Sequence, residues 1–219
     1  MKITVLDNIL EANDAIAEEI RSELASHRVL AINLMSSPGA GKTTLLEKTV
    51  EKFKSEGIRV GVIEGDIETS RDADRLKKFD IPIVQLNTGS ACHLDANMIR
   101  NALSNLDCST IDILFIENVG NLVCPAEFKV GEDHKVMVLS VTEGDEKPLK
   151  YPLMFRESSA MIINKVDLLP YTNFNMEEGM NNARQINSKL DIFSLSCTTG
   201  DGLEDWTDWV RKELERKRG

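Results

Sequence analysis

The feature that most constrains the fold is a glycine-rich turn between a strand-length apolar run and a helical pattern. Residues 29–35 are mostly apolar, and residues 36–44 then read Ser-Ser-Pro-Gly-Ala-Gly-Lys-Thr-Thr. Apolar side chains at helical spacing follow at once. A strand that enters a helix through such a turn is typical of a phosphate-binding loop, although Ser36 stands where the motif usually begins with glycine. The segment therefore predicts a P-loop.

Each residue type in this loop has a physical role. Glycines let the backbone turn tightly, so that its N–H groups point at phosphate oxygens. The lysine supplies a cation for the β- and γ-phosphates, and the first threonine offers a hydroxyl to Mg²⁺. The nucleotide contacts expected here are Gly39, Ala40, Gly41, Lys42, Thr43 and Thr44.

Short apolar runs alternate with helical patterns along the rest of the chain. Strands are predicted at 29–35, 59–63, 81–86, 111–116, 136–141, 161–163 and 192–195. Helices are predicted at 43–55, 72–79, 94–106, 176–189 and 203–217. This repetition predicts an α/β fold, doubly wound, with a mostly parallel sheet and flanking helices. We expect one domain, with an N-terminal helical segment over 1–28 and a P-loop domain over 29–219.

Charge and cysteine content exclude several functions. The 219 residues include 26 basic and 36 acidic side chains, which gives a net charge of −10. Such a chain has no electrostatic footprint for nucleic acid or an anionic membrane, so an anionic ligand must be held locally. Four cysteines are too few for a disulfide scaffold, and no apolar run approaches the roughly 18 residues of a membrane span. With no signal peptide recognised, a cytoplasmic location is expected.

A second motif points to the nucleotide base. Asn-Lys-Val-Asp at 164–167 follows a predicted strand, where open parallel sheets bind ligands. The Asp167 carboxylate can accept hydrogen bonds from the ring N–H and amine of guanine, and adenine offers no such pair. GTP is therefore favoured over ATP. The expected base-side contacts are Asn164, Lys165, Asp167, Ser196 and Cys197.

Two acidic segments are candidates for sensing the γ-phosphate. Residues 117–121 read Glu-Asn-Val-Gly-Asn after a predicted strand, so Glu117 can reach Mg²⁺ and the Gly120 N–H can meet the γ-phosphate. The next residue is asparagine rather than the water-orienting glutamine of fast GTPases, which predicts slow hydrolysis. Asp66 or Asp72 could supply a second Mg²⁺ carboxylate.

Sulfur and imidazole ligands form a third candidate site. Two thiolates and one imidazole, from Cys92, Cys124 and His93, suit Zn²⁺ or Ni²⁺ and leave one coordination position open. Buried free cysteines and a helix-capping histidine would explain the same residues. Cys124 lies four residues beyond Gly120, however, so the ligand geometry could change with the nucleotide. His134 is expected at the surface.

These motifs together resemble the HypB family of hydrogenase nickel-incorporation GTPases. The matching stretches are 36–44, 65–66, 87–95, 117–126, 142–145 and 164–167. The two that contain cysteine, Asn-Thr-Gly followed by Cys-His-Leu-Asp and Glu-Asn-Val-Gly-Asn-Leu-Val-Cys-Pro-Ala, are the most specific because generic GTPases lack them.

The resemblance implies a G domain of the SIMIBI type that dimerises with GTP. It also implies delivery of nickel to the [NiFe] hydrogenase large-subunit precursor, with the metallochaperone HypA as partner. The metal site of Cys92, His93 and Cys124 would lie at the dimer interface, and Lys147 would touch guanine across it. The switch aspartate would be Asp72. The implied catalytic set is Lys42, Glu117, Gly120 and Asp72.

Other functions stay open at this stage. One is an accessory GTPase for another metalloenzyme of the urease or cobalamin-mutase type; the urease type usually has Cys-Pro-His, whereas Cys92 and His93 are adjacent here. A zinc-stabilised dimer without catalysis is another. A P-loop small-molecule kinase would need a basic substrate lid, and Asn164 and Asp167 argue against it. Because the first cysteine is Cys92, a nickel-storage motif of clustered cysteines is not expected.

Overall fold

The computed structural model describes residues 5–66, 75–89 and 91–219, with side chains described from residue 10 onward. Seven strands form one sheet in the order β3-β2-β4-β1-β5-β6-β7, and each neighbouring pair is parallel. The strands are β1 Leu30–Ser36, β2 Val60–Asp66, β3 Ile83–Asn87, β4 Ile113–Glu117, β5 His134–Ser140, β6 Ala160–Asn164 and β7 Asp191–Ser194. The predicted parallel α/β sheet is confirmed.

Helices connect these strands. They are α1 Val5–Ser26, α2 Lys42–Ser55, α3 Ala96–Leu103, α4 Cys124–Glu127, α5 Lys147–Lys150, α6 Pro152–Arg156, α7 Met176–Ile186 and α8 Leu203–Arg218. Single 3₁₀ turns occur at Lys77–Phe79 and Cys108–Thr110, and a longer one at Val166–Tyr171. Within the described ranges, none of these helices combines the length and apolarity needed to cross a bilayer.

Helix prediction was less accurate than strand prediction. The helix expected at 94–106 is confined to α3, which begins where the Asp95 side chain accepts a hydrogen bond from the Met98 N–H at 2.8 Å. The helix expected at 72–79 falls partly outside the described residues, which resume at Arg75. Helices α5 and α6 were not predicted, because each is a single turn started by a proline, Pro148 or Pro152.

Helices cover both faces of the sheet. On one face α2 and α8 pack against β1, β4 and β5 through side chains such as Phe53 and Trp206, both fully buried. On the other face lie α1 and α3, with α6 and α7 further along. Ile20 and Leu24 of α1 are 1% exposed, so this N-terminal helix shares the core of the sheet domain.

His134, at the start of β5, is not at the surface as expected. Its side chain is 22% exposed, with Nε2 3.3 Å from a Glu213 carboxylate oxygen and Nδ1 3.0 Å from the Ser159 hydroxyl. The Trp209 ring of α8 packs edge-on at 5.1 Å. The C-terminal helix covers this end of the strand, and a single histidine in a polar stretch gave no sign of that contact.

The sheet order determines where ligands can bind. β1 lies between β4 and β5, so the connections leave it in opposite directions and open a crevice at the carboxyl ends of these strands. The segments that follow β1, β2, β4, β6 and β7 all emerge at this edge. The predicted P-loop, γ-phosphate-sensing and base-side residues that the structure describes therefore lie at this edge of the sheet.

Candidate nucleotide and metal site

The loop between β1 and α2 has the backbone that the glycine positions predicted. Gly39 has φ +77° and Gly41 has φ +102°, both in the left-handed region. A Cβ atom on Gly41 would lie 2.4 Å from Nδ2 of Asn164. Asn164 itself donates a hydrogen bond to the Ala40 carbonyl at 2.9 Å. Only glycine fits at position 41, because the base-side segment packs directly on the loop.

A cavity of about 470 Å³ opens beside this loop. The P-loop, residues 64–66, residues 117–120 and Lys165 line it. Gly120 lies against the loop so closely that a Cβ atom there would be 3.0 Å from the Pro38 Cα. The two segments predicted to bind phosphate and to sense it therefore lie side by side in the lining of one cavity.

The P-loop lysine has an unexpected partner. Lys42 is buried, and its ammonium donates to the Ser36 hydroxyl at 2.9 Å. That hydroxyl in turn donates to the Ser37 carbonyl at 2.6 Å. Ser36, the one departure from the usual P-loop pattern, thus gives the lysine an acceptor within the loop.

Oxygen ligands suited to Mg²⁺ gather in the same cavity. The Thr43 hydroxyl donates to a Glu117 carboxylate oxygen at 2.7 Å, and Asp66 lines the cavity beside them. Glu64, which is 2% exposed, lines it as well. Sequence reasoning did not single out Glu64, although a carboxylate at the end of a buried apolar run was a usable signal. Asp72 lies outside the described residues, so its predicted role is untested.

Arg75 also lines this cavity and was not predicted. Its guanidinium donates to the Thr44 hydroxyl at 3.0 Å and to the Glu47 carboxylate of α2. A basic residue at the start of a charged helical segment resembles any surface arginine, so the sequence gave no signal for this contact.

A second cavity of about 210 Å³ adjoins the first on the side of β6 and β7. Residues that line it are Gly41, Thr44, Asn164, Lys165, Asp167, Leu168, Cys197 and Thr198. The Lys165 ammonium donates to the Gly39 carbonyl at 2.7 Å, so its side chain crosses from β6 to the P-loop. This arrangement has the shape expected for a base-binding cleft.

Ser196 lies beneath this cleft rather than in its wall. It is fully buried, and its hydroxyl donates to an Asp167 carboxylate oxygen at 2.5 Å while accepting from the N–H groups of Thr198 and Thr199. It therefore orients the carboxylate and the following loop. Burial raises the pKa of the neighbouring Cys197 thiol to about 11, so that thiol stays protonated at neutral pH.

Cys92, His93 and Cys124 lie together. The two Sγ atoms are 3.0 Å apart, Cys92 Sγ is 3.8 Å from His93 Nδ1, and one ligand atom from each residue lies within 4.8 Å of the others. Both cysteines are free. The set is drawn from two segments, the loop between β3 and α3 and the first residue of α4.

The protonation of these groups follows from their surroundings. The hydrogen bond that Cys124 shares with Cys92, and then burial, raise the pKa of the Cys124 thiol. Burial lowers the pKa of His93, whose ring lies 4.0 Å from the Phe128 ring, centroid to centroid. The histidine is therefore neutral at neutral pH and able to ligate a metal, whereas a thiol must lose its proton when a metal binds.

The cluster is connected to the cavity wall by Asn121. Its side-chain amide donates to the Cys92 carbonyl at 3.3 Å, and its side-chain oxygen accepts from the Val123 N–H at 2.9 Å. Asn121 follows Gly120 directly, so one side chain joins the wall of the nucleotide cavity to both halves of the cluster.

Lys147 lies apart from the other predicted site residues that the structure describes. It belongs to α5 and lines neither of the two cavities. Its ammonium lies 5.3 Å from the centre of the Tyr151 ring. A role at the base would require a second copy of the chain, which the structure does not contain.

A parallel sheet with a P-loop after its central strand and a cavity over that loop defines a P-loop nucleotide-binding protein. Residues 30–194 match the family described as CobW/HypB/UreG, nucleotide-binding domain. The hydrogenase maturation factor HypB of Escherichia coli (strain K12) is 50% identical over 206 residues, which cover 94% of this chain and 71% of that protein.

Solved structures agree with this match. The crystal structure of hydrogenase maturation factor HypB from Archaeoglobus fulgidus has a TM-score of 0.88 and 38% identity, covering 94% of this chain and 100% of that one. HypB from Helicobacter pylori in complex with nickel has a TM-score of 0.87 and 40% identity, covering 94% and 95%. The chain belongs to the HypB family of hydrogenase maturation factors.

Proposed function

We propose that this chain is a GTPase that supports nickel insertion into [NiFe] hydrogenase and whose metal site responds to the nucleotide. One observation carries the proposal. Glu117, which bonds Thr43 of the P-loop, and Cys124, which lies 3.0 Å from Cys92, belong to one eight-residue segment. Because the segment is so short, a displacement of Glu117 is expected to move Cys124 as well.

Guanine selectivity is assigned to Asp167. A carboxylate held by the Ser196 hydroxyl presents fixed acceptors to the ring N–H and amine of guanine. Adenine would leave this acceptor pair without a suitable donor, which is costly in a desolvated cleft. Asn164 and Lys165, both bonded to P-loop carbonyls, hold the base cleft in register with the phosphate cavity.

The cavity suits Mg²⁺. Thr43, Asp66 and Glu117 offer a hydroxyl and two carboxylates, the oxygen ligands that Mg²⁺ prefers. These carboxylates would repel a triphosphate unless a cation lay between them. The residues that would hold it are Thr43, Glu117 and one of Asp66 and Asp72. When bound, the ion neutralises charge on the β- and γ-phosphates.

Hydrolysis then depends mainly on electrostatics. Lys42 and the P-loop N–H groups stabilise charge on the transferring phosphoryl group, and we assign the Gly120 N–H to the γ-phosphate. Asn121 bonds Cys92 and Val123 rather than serving to orient water. We therefore expect slow intrinsic turnover.

Nickel is the cargo at the thiol cluster, and zinc can occupy the same ligands. Cys92, Cys124 and His93 supply three donors, which leaves a position for a fourth ligand or for transfer. The raised pKa of Cys124 means that metal binding releases protons, so affinity increases with pH. A reducing cytoplasm would keep both thiols able to bind metal.

Assembly is part of the proposal. A GTP-bound homodimer would bring Lys147 of one copy to the guanine of the other. The same sheet edge carries Leu149, 53% exposed, and Tyr171, 84% exposed, beside a cleft of about 570 Å³ formed by residues 141–146 and 171–174. The partners are a HypA-like metallochaperone and the hydrogenase large-subunit precursor. Similarity to hydrogenase maturation factors favours this client over a cobalamin-dependent mutase.

The test compares wild type with Cys124→Ala by light scattering and metal titration. Each protein is examined with a GTP analogue, GDP, Ni²⁺ and Zn²⁺ in turn. The oligomeric state of wild type is expected to change when the GTP analogue binds. Its metal affinity is expected to differ between the GTP analogue and GDP. Cys124→Ala should still hydrolyse GTP but lose metal affinity. If the oligomeric state and the metal affinity of wild type were the same with every nucleotide, the proposed linkage between nucleotide and metal site would be wrong.

A further inference from the structure

A chain of buried polar side chains runs beneath the metal cluster, beginning at Asn118. This residue follows β4 and is 1% exposed. Its side-chain oxygen accepts from the backbone N–H of Leu94, the residue after His93, at 3.0 Å. Its amide nitrogen donates to the Asn33 side-chain oxygen of β1 at 3.2 Å. The segment that carries Cys92 and His93 is thus bonded to the central strand.

The other end of the chain is Lys135 on β5. Its side chain is 8% exposed, and its ammonium donates to the carbonyls of Ala126 at 2.7 Å and Pro125 at 3.3 Å. Both carbonyls belong to α4, the four-residue helix that begins at Cys124. So short a helix has little stability of its own. Lys135 therefore bonds this helix to β5 of the sheet.

Glu132 joins the two ends. It is 3% exposed, and its Oε1 lies 3.8 Å from the Lys135 ammonium and accepts from the Asn33 amide at 3.4 Å. Its other oxygen accepts from the Val130 N–H at 2.7 Å. We call Asn118, Asn33, Glu132 and Lys135 the polar bridge, because together they connect the two segments that supply the metal ligands.

Stability alone does not explain the polar bridge. Burying a carboxylate and an ammonium costs several kcal/mol, and apolar residues of similar volume are often as stable or more so. Burial lowers the pKa of Lys135 despite the nearby Glu132, so desolvation outweighs the attraction between the two charges. The location of the bridge supplies another reason for it. One end directly follows Glu117 in the nucleotide cavity, and the other holds the helix of Cys124.

We propose that the polar bridge sets the spacing between the two halves of the metal site, with Lys135 as the positioning residue for Cys124. The inference rests on the proposed function, whose nucleotide linkage it explains. Asn118 moves with the cavity wall because it is the neighbour of Glu117, and it carries the Leu94 N–H with it. Lys135 keeps α4 fixed to β5. A displacement of the wall then appears as a change in the distance between Cys92 and Cys124.

The test uses Lys135→Met, with Lys129→Met as a matched control. Lys129 is half-exposed and pairs with Asp14 at 2.8 Å, so its loss removes the same charge from the same region without touching the bridge. Co²⁺ is titrated into each protein without nucleotide, with GDP and with a GTP analogue, following the thiolate-to-cobalt absorption band. Melting temperature is recorded in parallel.

Lys135→Met is expected to weaken Co²⁺ binding by about tenfold or more. The ratio of affinities between the GDP and GTP-analogue states should move toward one, and the absorption band should change shape. Lys135→Arg should recover part of the affinity, and Lys129→Met should match wild type. If Lys135→Met does not fold, Lys135→Met combined with Glu132→Gln removes both buried charges and tests the same point.

One result would overturn the inference: a folded Lys135 variant with wild-type Co²⁺ affinity and a wild-type ratio between nucleotide states. If its melting temperature were also lower, the lysine would be purely structural. The ratio in wild type would still stand as evidence for the proposed function. A wild-type ratio of one would contradict both.

Discussion

Ser36 shows how a single side chain can alter a familiar loop without removing its chemistry. Its hydroxyl accepts from the Lys42 ammonium at 2.9 Å, which places that cation at the floor of the phosphate cavity before any anion arrives. A positive group that is already in place costs little reorganisation when phosphate binds. The lysine is therefore the residue on which nucleotide hydrolysis depends most directly.

Lys42→Ala should lower GTP turnover by at least about 100-fold, because the alanine cannot stabilise charge on the γ-phosphate. Phosphate release at saturating GTP measures this. Lys48→Ala, an exposed change on the same helix, is the control. Undiminished hydrolysis in a folded Lys42→Ala protein would show that the loop has been assigned the wrong role.

Asp167→Asn should relax the preference for guanine. An amide can still accept one hydrogen bond, but its N–H₂ group faces the donors of guanine and suits the C2 carbonyl of xanthine instead. We expect affinity for GTP to fall by about 100-fold and affinity for xanthosine triphosphate to rise. Competition against a fluorescent nucleotide reports both. An unchanged ratio would place base recognition elsewhere.

Single residues differ in how far sequence could place them. Known motif spacings contain the P-loop and the residues Asn164, Lys165 and Asp167. Their positions in the two cavities could therefore be predicted from the sequence. Glu64 and Arg75 also line the phosphate cavity. Glu64 follows a buried apolar run, which is a usable signal, whereas no local sequence pattern distinguishes Arg75 from a surface arginine. Ser196 was expected to contact the base, whereas its buried side chain donates a hydrogen bond to Asp167 and orients that carboxylate.

Among the elements, the strands were the most predictable. Their mostly apolar runs reflect burial on both faces, which the sequence displays directly. Single-turn helices such as α4 and α5 have no period to read, and they form because prolines and tertiary contacts hold them. For this reason the sequence did not predict that Cys124 begins a helix.

Helix α8 gives a test at this scale. Trp206 donates to the Thr49 hydroxyl of α2 at 2.9 Å, and Trp209 packs against His134 at the other side. Burial lowers the pKa of His134 despite the nearby carboxylates of Glu213 and Asp133. The folded protein therefore holds this histidine neutral where the unfolded chain would be protonated.

The sign of the pH effect follows from this. His134 has a pKa of 6.5 in the unfolded chain, so below pH 6.5 the unfolded chain binds a proton that the folded protein does not. The free energy of unfolding therefore falls as pH decreases toward the lower pKa of the folded state. Above 6.5 the contribution is constant. Urea unfolding at pH 7.5 and pH 5.5 should show a smaller loss of unfolding free energy for His134→Gln than for wild type. His27→Gln, at an exposed position, is the control. Equal losses in wild type and His134→Gln would contradict the assignment.

The sheet order brings the nucleotide cavity and the metal-ligand cluster to one edge of the molecule. The phosphate cavity and the thiol cluster share the segment from Glu117 to Cys124, and the polar bridge supports that segment from below. Sequence spacing suggested the tether, because Cys124 follows Gly120 by four residues. It could not suggest the bridge, whose four side chains come from the middle of β1, the residue after β4, the start of β5 and the loop before β5.

In the proposed function, the nucleotide state of the protein changes its metal affinity. The most direct measurement is the Ni²⁺ dissociation constant of wild type with GDP and with a non-hydrolysable GTP analogue, by competition with a chromophoric chelator at fixed pH. Coupling between sites in proteins is typically about 5-fold to 150-fold, so we predict at least a fivefold difference between the two states. Equal Ni²⁺ dissociation constants in the two nucleotide states would contradict the proposed linkage between nucleotide and metal binding.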